Sequence, residues 1–281
     1  MSKRNSQANK AAARERLRAE RERQAKKDKV RRQVVVGVSI VAVLAIAGGV
    51  GWGVMQLNKP SHWEAAKDAK NVTAPKNTSG ENGTTVVIGK SSAKKTLKLY
   101  EDPRCPICAS FEQGVGETIA KDVEAGKYKI QYVGATFIDG DSLSQGTIGN
   151  RGEGSKNALS ALGAALNVSQ EAFLEYKGSL YSAKFHPEES DDKFKDDSYL
   201  IEIANSVKAL KGNKSFQDAV RNGTYDEWAL MMSKAFDENK DNVTGTPTLI
   251  MDKKKVTAKG SDNAPMTAGE FTTAINEALK N

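Results

Sequence analysis

Hydrophobic and polar residues recur at different periods along this 281-residue chain, and each period predicts an element. The sequence "TTVVIGK" predicts a strand at Thr85–Ile88. At Thr96–Glu101, Leu97 and Leu99 alternate with Lys98 and Tyr100, and this period of two predicts a second strand. A helix follows, running to about Val123, and "YKIQYVGATF" (Tyr128–Phe137) alternates again as a third strand. From 155 to 241 the period lengthens. Ala158, Ala161, Leu162, Ala165 and Leu166 fall on one helical face, and Leu200, Ile201, Ala204, Val207 and Leu210 on another, so the whole stretch reads as helical. "TPTLIMD" and "KKKVTA" read as a strand pair, and Thr267–Lys280 as a closing helix. Strands that resume after a long helical run predict an α/β sheet with a helical insertion at about 150–242.

One stretch obeys neither period. "VVVGVSIVAVLAIAGGVGWGVMQL", Val34–Leu57, has no Lys, Arg, Asp or Glu. As a helix its 24 residues would extend roughly 36 Å, enough for a hydrocarbon core of about 30 Å. Charge gives this stretch a direction. The chain carries a formal net charge of +7, but residues 1–32 hold thirteen Lys/Arg against four Asp/Glu, and residues 59–281 hold 29 against 31. The basic character therefore belongs to a tail, which reads as a solvated helix that keeps its side in the cytoplasm and touches anionic lipid. Nucleic acid is not an expected partner. The layout is a basic cytoplasmic tail (1–33), a transmembrane signal anchor (34–57), a polar linker (58–84) with one short helix around His62–Ala69, and a folded extracytoplasmic domain (85–281). The competing reading is a cleaved signal peptide ending near Ala45-Ile46-Ala47, but the apolar run continues past that point.

An oxidising compartment gives meaning to the only two cysteines, Cys105 and Cys108. Three residues apart on a helix, their side chains share one face. Pro106 lacks an N–H and favours the first helical position, which makes Cys105 the N-cap and Cys108 the third helical residue. An N-cap sulfur accepts from the amides of Ile107 and Cys108 and faces the positive end of the helix dipole, and both effects favour a thiolate. Cys105 is thus the expected exposed nucleophile and Cys108 the resolving partner. Neighbouring charges pull both ways: Arg104 should lower the thiolate pKa, while Glu101 and Asp102 should raise it. Closing so short a loop makes a poor structural staple. Zinc needs four ligands, and beyond the cysteines only His62 and His186 are at hand, far apart in the chain.

"YEDPRCPICASFE" resembles the active-site segment of DsbA-like thiol-disulfide oxidoreductases, and "VTGTPTLIMDKKKV" (Val243–Val256) resembles the cis-proline loop of the same family with its two following strands. The resemblance covers about residues 84–281 and is closest to membrane-anchored forms of Gram-positive, especially actinobacterial, bacteria. It implies a thioredoxin-like fold with an inserted helical domain, here preceded by one transmembrane helix. It also implies catalysis by Cys105 and Cys108, and a substrate site formed by Thr246, Pro247, Pro106 and Ile107, with Pro247 cis. Glu101, Asp102 and Arg104 become candidate modulators. The implied partners are exported cysteine-containing proteins and a membrane redox protein that recycles the pair, with no cofactor and no metal. Two positions depart from the family pattern. Ile107 stands where strongly oxidising members have His, and Leu99 stands where relatives bury an acidic residue, a role open to Glu101 or Asp102.

Direction of electron flow stays open between oxidase, reductase and isomerase, and a redox-silent peptide-binding module is the alternative from another class. His186 in "KFHPEES" reads as a surface histidine between helices. "EESDDKFKDD" lacks calcium-loop spacing and reads as a solvated loop, and "GNRGEGS" lacks the flanking elements of a phosphate loop.

Overall fold

The computed structural model describes residues 62–68 and 71–280. The expected tail and the apolar stretch Val34–Leu57 lie outside them. Among the described residues no helix is long and apolar enough to cross a membrane.

Five strands form one mixed sheet: β1 (Val86–Ile88), β2 (Thr96–Glu101), β3 (Lys129–Gly134), β4 (Thr248–Met251) and β5 (Lys254–Lys255), in the order β1-β3-β2-β4-β5. Only β2 and β3 are parallel. A parallel pair needs a crossover, supplied by α2 (Pro106–Ala125). That helix lays Phe111, Val115, Ile119 and Val123 on the sheet, all buried. The closing helix α8 (Ala268–Lys280) buries Phe271 and Ile275.

The insertion between β3 and β4 holds five helices: α3 (Gly154–Val168), α4 (Gln170–Leu180), α5 (Asp197–Ala204), α6 (Lys214–Arg221) and α7 (Asp226–Asp237). Every residue of α3 from Gly154 to Leu166 is buried, so this helix is an axis around which the others pack rather than a surface helix. A Cβ at Gly163 would lie 2.8 Å from the Trp228 ring, which is how closely α7 approaches.

Three expectations change. The stretch 155–241 is not helical throughout: Tyr181–Asp196 is largely irregular, with Pro187 unable to donate, and Val207 and Leu210 are buried in turns beyond the end of α5. β3 stops at Gly134, and Phe137–Asp139 forms a 3₁₀ turn whose Asp139 is fully buried. The "KKKVTA" strand shrinks to two exposed lysines on the sheet edge, a place where charge discourages further pairing.

The segment expected as a linker is also tied down. Its short helix α1 (His62–Lys67) buries Trp63 completely against Leu143 and Leu230, and His62 Nδ1 lies 3.2 Å from Asp226 Oδ2. Further along, the Asn77 amide donates to the Leu166 carbonyl at 3.0 Å, and Trp228 Nε1 donates to the Gly83 carbonyl at 2.9 Å. Composition misses such packing because one tryptophan and a few backbone groups accomplish it.

Candidate active site

β2 ends at Glu101, and the chain makes one turn before α2 begins. Cys105 N donates to the Asp102 carbonyl at 2.9 Å and closes that turn. Pro106 then opens the helix, with Cys105 as its N-cap at φ −70° and ψ 115°. The Cys108 amide donates to Cys105 Sγ at 3.4 Å, the cap expected from the Cys-Pro spacing. Both cysteines are free thiols in this structure. On the neighbouring strand, the pairing of Tyr100 with Thr248 brings the loop before β4 to the same sheet end. The Thr246–Pro247 bond is cis, and Cys105 Sγ donates to the Thr246 carbonyl at 3.6 Å.

Cys105 is less open than expected. It is 6% exposed, in a buried cluster with Cys108, Ala109 and Tyr181 of the insertion and with the Thr246 carbonyl against its sulfur, while Ile107 is 57% exposed. Ile107, Thr246, Pro247, Thr248, Lys255 and Met266 border a groove of about 450 Å³ beside the sulfurs. A cavity of about 480 Å³ between His62, Asn157, Arg221 and Asp226 touches neither cysteine.

The two sulfurs differ sharply. The Cys105 pKa falls to about 6, chiefly because the Cys108 side chain donates to it; burial opposes the fall, and the Thr246 hydroxyl and the Cys108 and Ile107 amides assist it. That hydroxyl is buried and makes no hydrogen bond of normal geometry. Cys108 moves the opposite way, pushed well up by burial, by its bond to Cys105 and by the Glu101 charge. A low-pKa thiol beside a high-pKa one gives an attacking sulfur and a reserve.

Behind them lies a buried ion group. Lys177 of α4 sits 3.1 Å from Glu101 and 2.5 Å from Glu112 of α2. Burial pushes the Glu101 pKa up to about 7 although Lys177 draws it down. Asp102 is also pushed by burial to about 7, against bonds from the Ser155 hydroxyl and the Arg104 and Ile138 amides. Both carboxyls therefore titrate close to Cys105. Arg104 does not face the sulfur. Its guanidinium turns into the insertion, 2.7 Å from Asp139 and 3.2 Å from Asp192, so its charge is balanced there.

Sequence reading passed over Lys177, Glu112, Tyr181, Ser155, Asp139 and Asp192. Lys177 had left a signal: it interrupts the apolar face of Phe173, Tyr176 and Leu180. His186, read as a surface residue, is partly buried between Tyr181 and Phe194, with Nδ1 3.3 Å from the Leu180 carbonyl. Among the described residues no cluster of three or more His, Cys, Asp or Glu has metal-holding geometry.

The sequence model of the thioredoxin family matches residues 81–277. Oxidised DsbA of Mycobacterium tuberculosis is 25% identical, with a TM-score of 0.53, covering 70% of this chain and 93% of that one. MdbA, a thiol-disulfide oxidoreductase of Actinomyces oris, superposes with a TM-score of 0.55 at 20% identity, over 78% of this chain and 96% of that one. MdbA of Corynebacterium diphtheriae gives 0.52 at 18% identity, over 78% and 100%. A curated relative, the serine/threonine-protein kinase PknE of Mycobacterium tuberculosis, is 23% identical over 124 residues, 44% of this chain; the match spans about a fifth (21%) of the kinase. The chain belongs to the thioredoxin family and has the fold of its DsbA-type thiol-disulfide oxidoreductases.

Proposed function

We propose that the protein forms or exchanges disulfides in exported, cysteine-containing proteins through its Cys-Pro-Ile-Cys centre, while anchored by Val34–Leu57 with its domain outside the cytoplasm. The carrying observation is the opposite displacement of the two thiols across a single helix turn. In the oxidising direction the Cys105–Cys108 disulfide is attacked at Cys105 by a substrate thiolate, and Cys108 leaves as a thiolate. A second substrate thiolate then attacks the substrate sulfur of the mixed disulfide and releases Cys105. Two electrons and two protons pass from the substrate dithiol to the cysteine pair, and a membrane redox partner takes them on. A leaving group of pKa about 6 makes the last step favourable and the disulfide oxidising. Once Cys105 ionises it no longer donates to the Thr246 carbonyl, which is then open to an amide of an extended substrate, as in strand addition.

The test uses single-cysteine variants in cells. Cys108→Ala should accumulate mixed disulfides with exported proteins through Cys105, because the protein's own resolving thiol is gone and release then depends on a thiol of the substrate alone, and Cys105→Ala should accumulate almost none. Equal trapping by both would sink the assignment. Orientation is read separately: protease added to intact protoplasts should remove the domain and spare the tail, and a domain cut only after permeabilisation would overturn the proposed topology.

A further inference from the structure

Two sequence features without a role in disulfide exchange, "GNRGEGS" and the acidic "EESDD", meet at one side chain. Arg104, the residue before Cys105, is 4% exposed and inserted into the helical insertion. Its Nη1 pairs with Asp139 Oδ1 at 2.7 Å and Asp192 Oδ1 at 3.2 Å, and its Nη2 donates to the Glu189 carbonyl at 2.6 Å. The two carboxylates are themselves fixed by the start of α3. The amides of Glu153 and Gly154 donate to Asp192 at 3.0 Å each, and those of Ser155 and Lys156 to Asp139 at 3.1 and 3.0 Å. The glycines provide the space: a Cβ at Gly152 would stand 2.3 Å from Arg104 Nη1, and one at Gly154 3.1 Å from Arg104 Cδ. Arg104 thus lies in a closed socket of two glycines, two acids and a carbonyl. The same turn is held a second time by Asp102, which accepts from the Arg104 amide at 3.0 Å and the Ser155 hydroxyl at 2.6 Å.

We propose that Arg104 is a positioning residue for Cys105: through the socket the helical insertion fixes the turn that places the nucleophilic sulfur under the α2 amides. The cap contact is 3.4 Å long and depends on the backbone at Cys105, so loosening the preceding residue weakens it. The role differs from that of a nearby cation lowering a thiol pKa, because Asp139 and Asp192 pair with the guanidinium, and the buried Lys156 ammonium, 3.2 Å from Asp139, is matched in turn by Asp141 at 3.3 Å. The inference rests on Cys105 being the reactive sulfur in the proposed function, and it supplies the helical insertion with a part in that reactivity.

The experiment is the pH profile of Cys105 alkylation by iodoacetamide, located by mass spectrometry, in the reduced full-length protein and four variants. Arg104→Lys keeps the charge but cannot make the fork, and Arg104→Gln removes both. Gly152→Ala pushes aside the end of Arg104, 2.3 Å from the new Cβ, and the Asp192 carboxylate, 3.0 Å from it, at a φ of +159° that strains an alanine, so it is read only together with the Arg104 variants. Asp192→Asn deletes a negative charge while keeping the shape and an oxygen to accept from the Glu153 and Gly154 amides, and it leaves Arg104 in place, so it is a variant independent of the Arg104 substitutions. Positioning predicts a midpoint raised by about one pH unit in the two Arg104 variants and Gly152→Ala, roughly tenfold less thiolate at pH 5, and a smaller rise in Asp192→Asn. Simple electrostatics predicts the opposite pattern: Arg104→Lys unchanged and Asp192→Asn lowered. That pattern, or wild-type midpoints in all variants that fold, overturns the proposal. Alkylation reads ionisation rather than disulfide exchange, so a wild-type protein that exchanges no disulfides would refute the proposed function and leave these shifts to decide the role of Arg104.

Discussion

Hydrogen bonding at Cys105 and burial at Cys108 give folding stability a pH signature. The Cys105 pKa of about 6 lies below the thiol's ordinary value of about 8.5, so its contribution is fully present above that value and is lost as pH falls through about 6. Only the reduced protein has this thiolate. Urea melts of the reduced and oxidised forms should therefore diverge between pH 6 and 9 in favour of the reduced form, by on the order of 3 kcal/mol, and Cys105→Ser, which has neither the thiolate nor the disulfide, should lack the rise in stability that the reduced form shows over that range. Glu101 works with the opposite sign: its raised pKa means stability is lost as pH rises toward about 7. Lys177 limits that loss. Lys177→Met leaves Glu101 and Glu112 without their shared counterion and should cost about 3–5 kcal/mol at pH 8. At pH 5, where Glu101 takes up a proton, the cost should be smaller, and Glu101→Gln in the same chain should restore most of it. Equal costs at both pH values would show that the loss is packing rather than charge.

Elements with a clean period were legible in the sequence, and those held by polar contacts were not. β2, α2 and α3 followed from alternation, from Pro106 and from an unbroken apolar face. Tyr181–Asp196 has no period to read, because what orders it is the Arg104 socket and bonds such as Tyr181 to the Asp102 carbonyl at 3.1 Å. Glycine in mid-helix is a related case. Gly163→Ala gains up to about 1 kcal/mol of helix propensity, but its methyl would meet the buried Trp228 ring at 2.8 Å, and overpacking of that kind costs about 1–3 kcal/mol. The ring is rigid and fully buried, so packing should win and the thermal midpoint should fall. A rise would show that α7 can shift outward.

For the molecule as a whole, the hardest boundary to read was where the folded unit begins. Compactness divides the chain at Ser61, ahead of the start at residue 85 that composition favours. A chain starting at Thr85 loses Trp63 and its contacts with Leu143 and Leu230, and should be less stable than one starting at Ser61 by about 3–5 kcal/mol, the scale of a buried Trp→Ala change. Trp63→Ala in the longer chain should reproduce most of that loss in a urea melt. The placement of Cys105, Pro106, Cys108 and the Thr246-Pro247 pair was easier to read than the boundary, because these residues are adjacent in sequence to the elements that position them. Their supporting residues were harder, since Asp139, Lys177 and Asp192 act across 35 to 88 positions of chain, and charge composition carries no trace of such pairings.

The contact between Cys105 and Thr246 spans 141 residues, whereas the contact that caps Cys105 spans three. These two distances give the site a timetable. A chain synthesised from its N-terminus has residues 105–125, and with them the activating helix turn, available well before β4 is made, and gains its cover only when β4 pairs with β2. Long-range pairing of this kind forms late. During that interval the young protein carries a reactive thiol with no loop over it, and its nearest partner is Cys108, three residues away. Short spacing thus also acts as a safeguard during biosynthesis: when a disulfide-bearing oxidant reacts at Cys105, Cys108 three residues away displaces it, giving the intrachain bond and the reduced oxidant before a second chain's thiol reaches the sulfur.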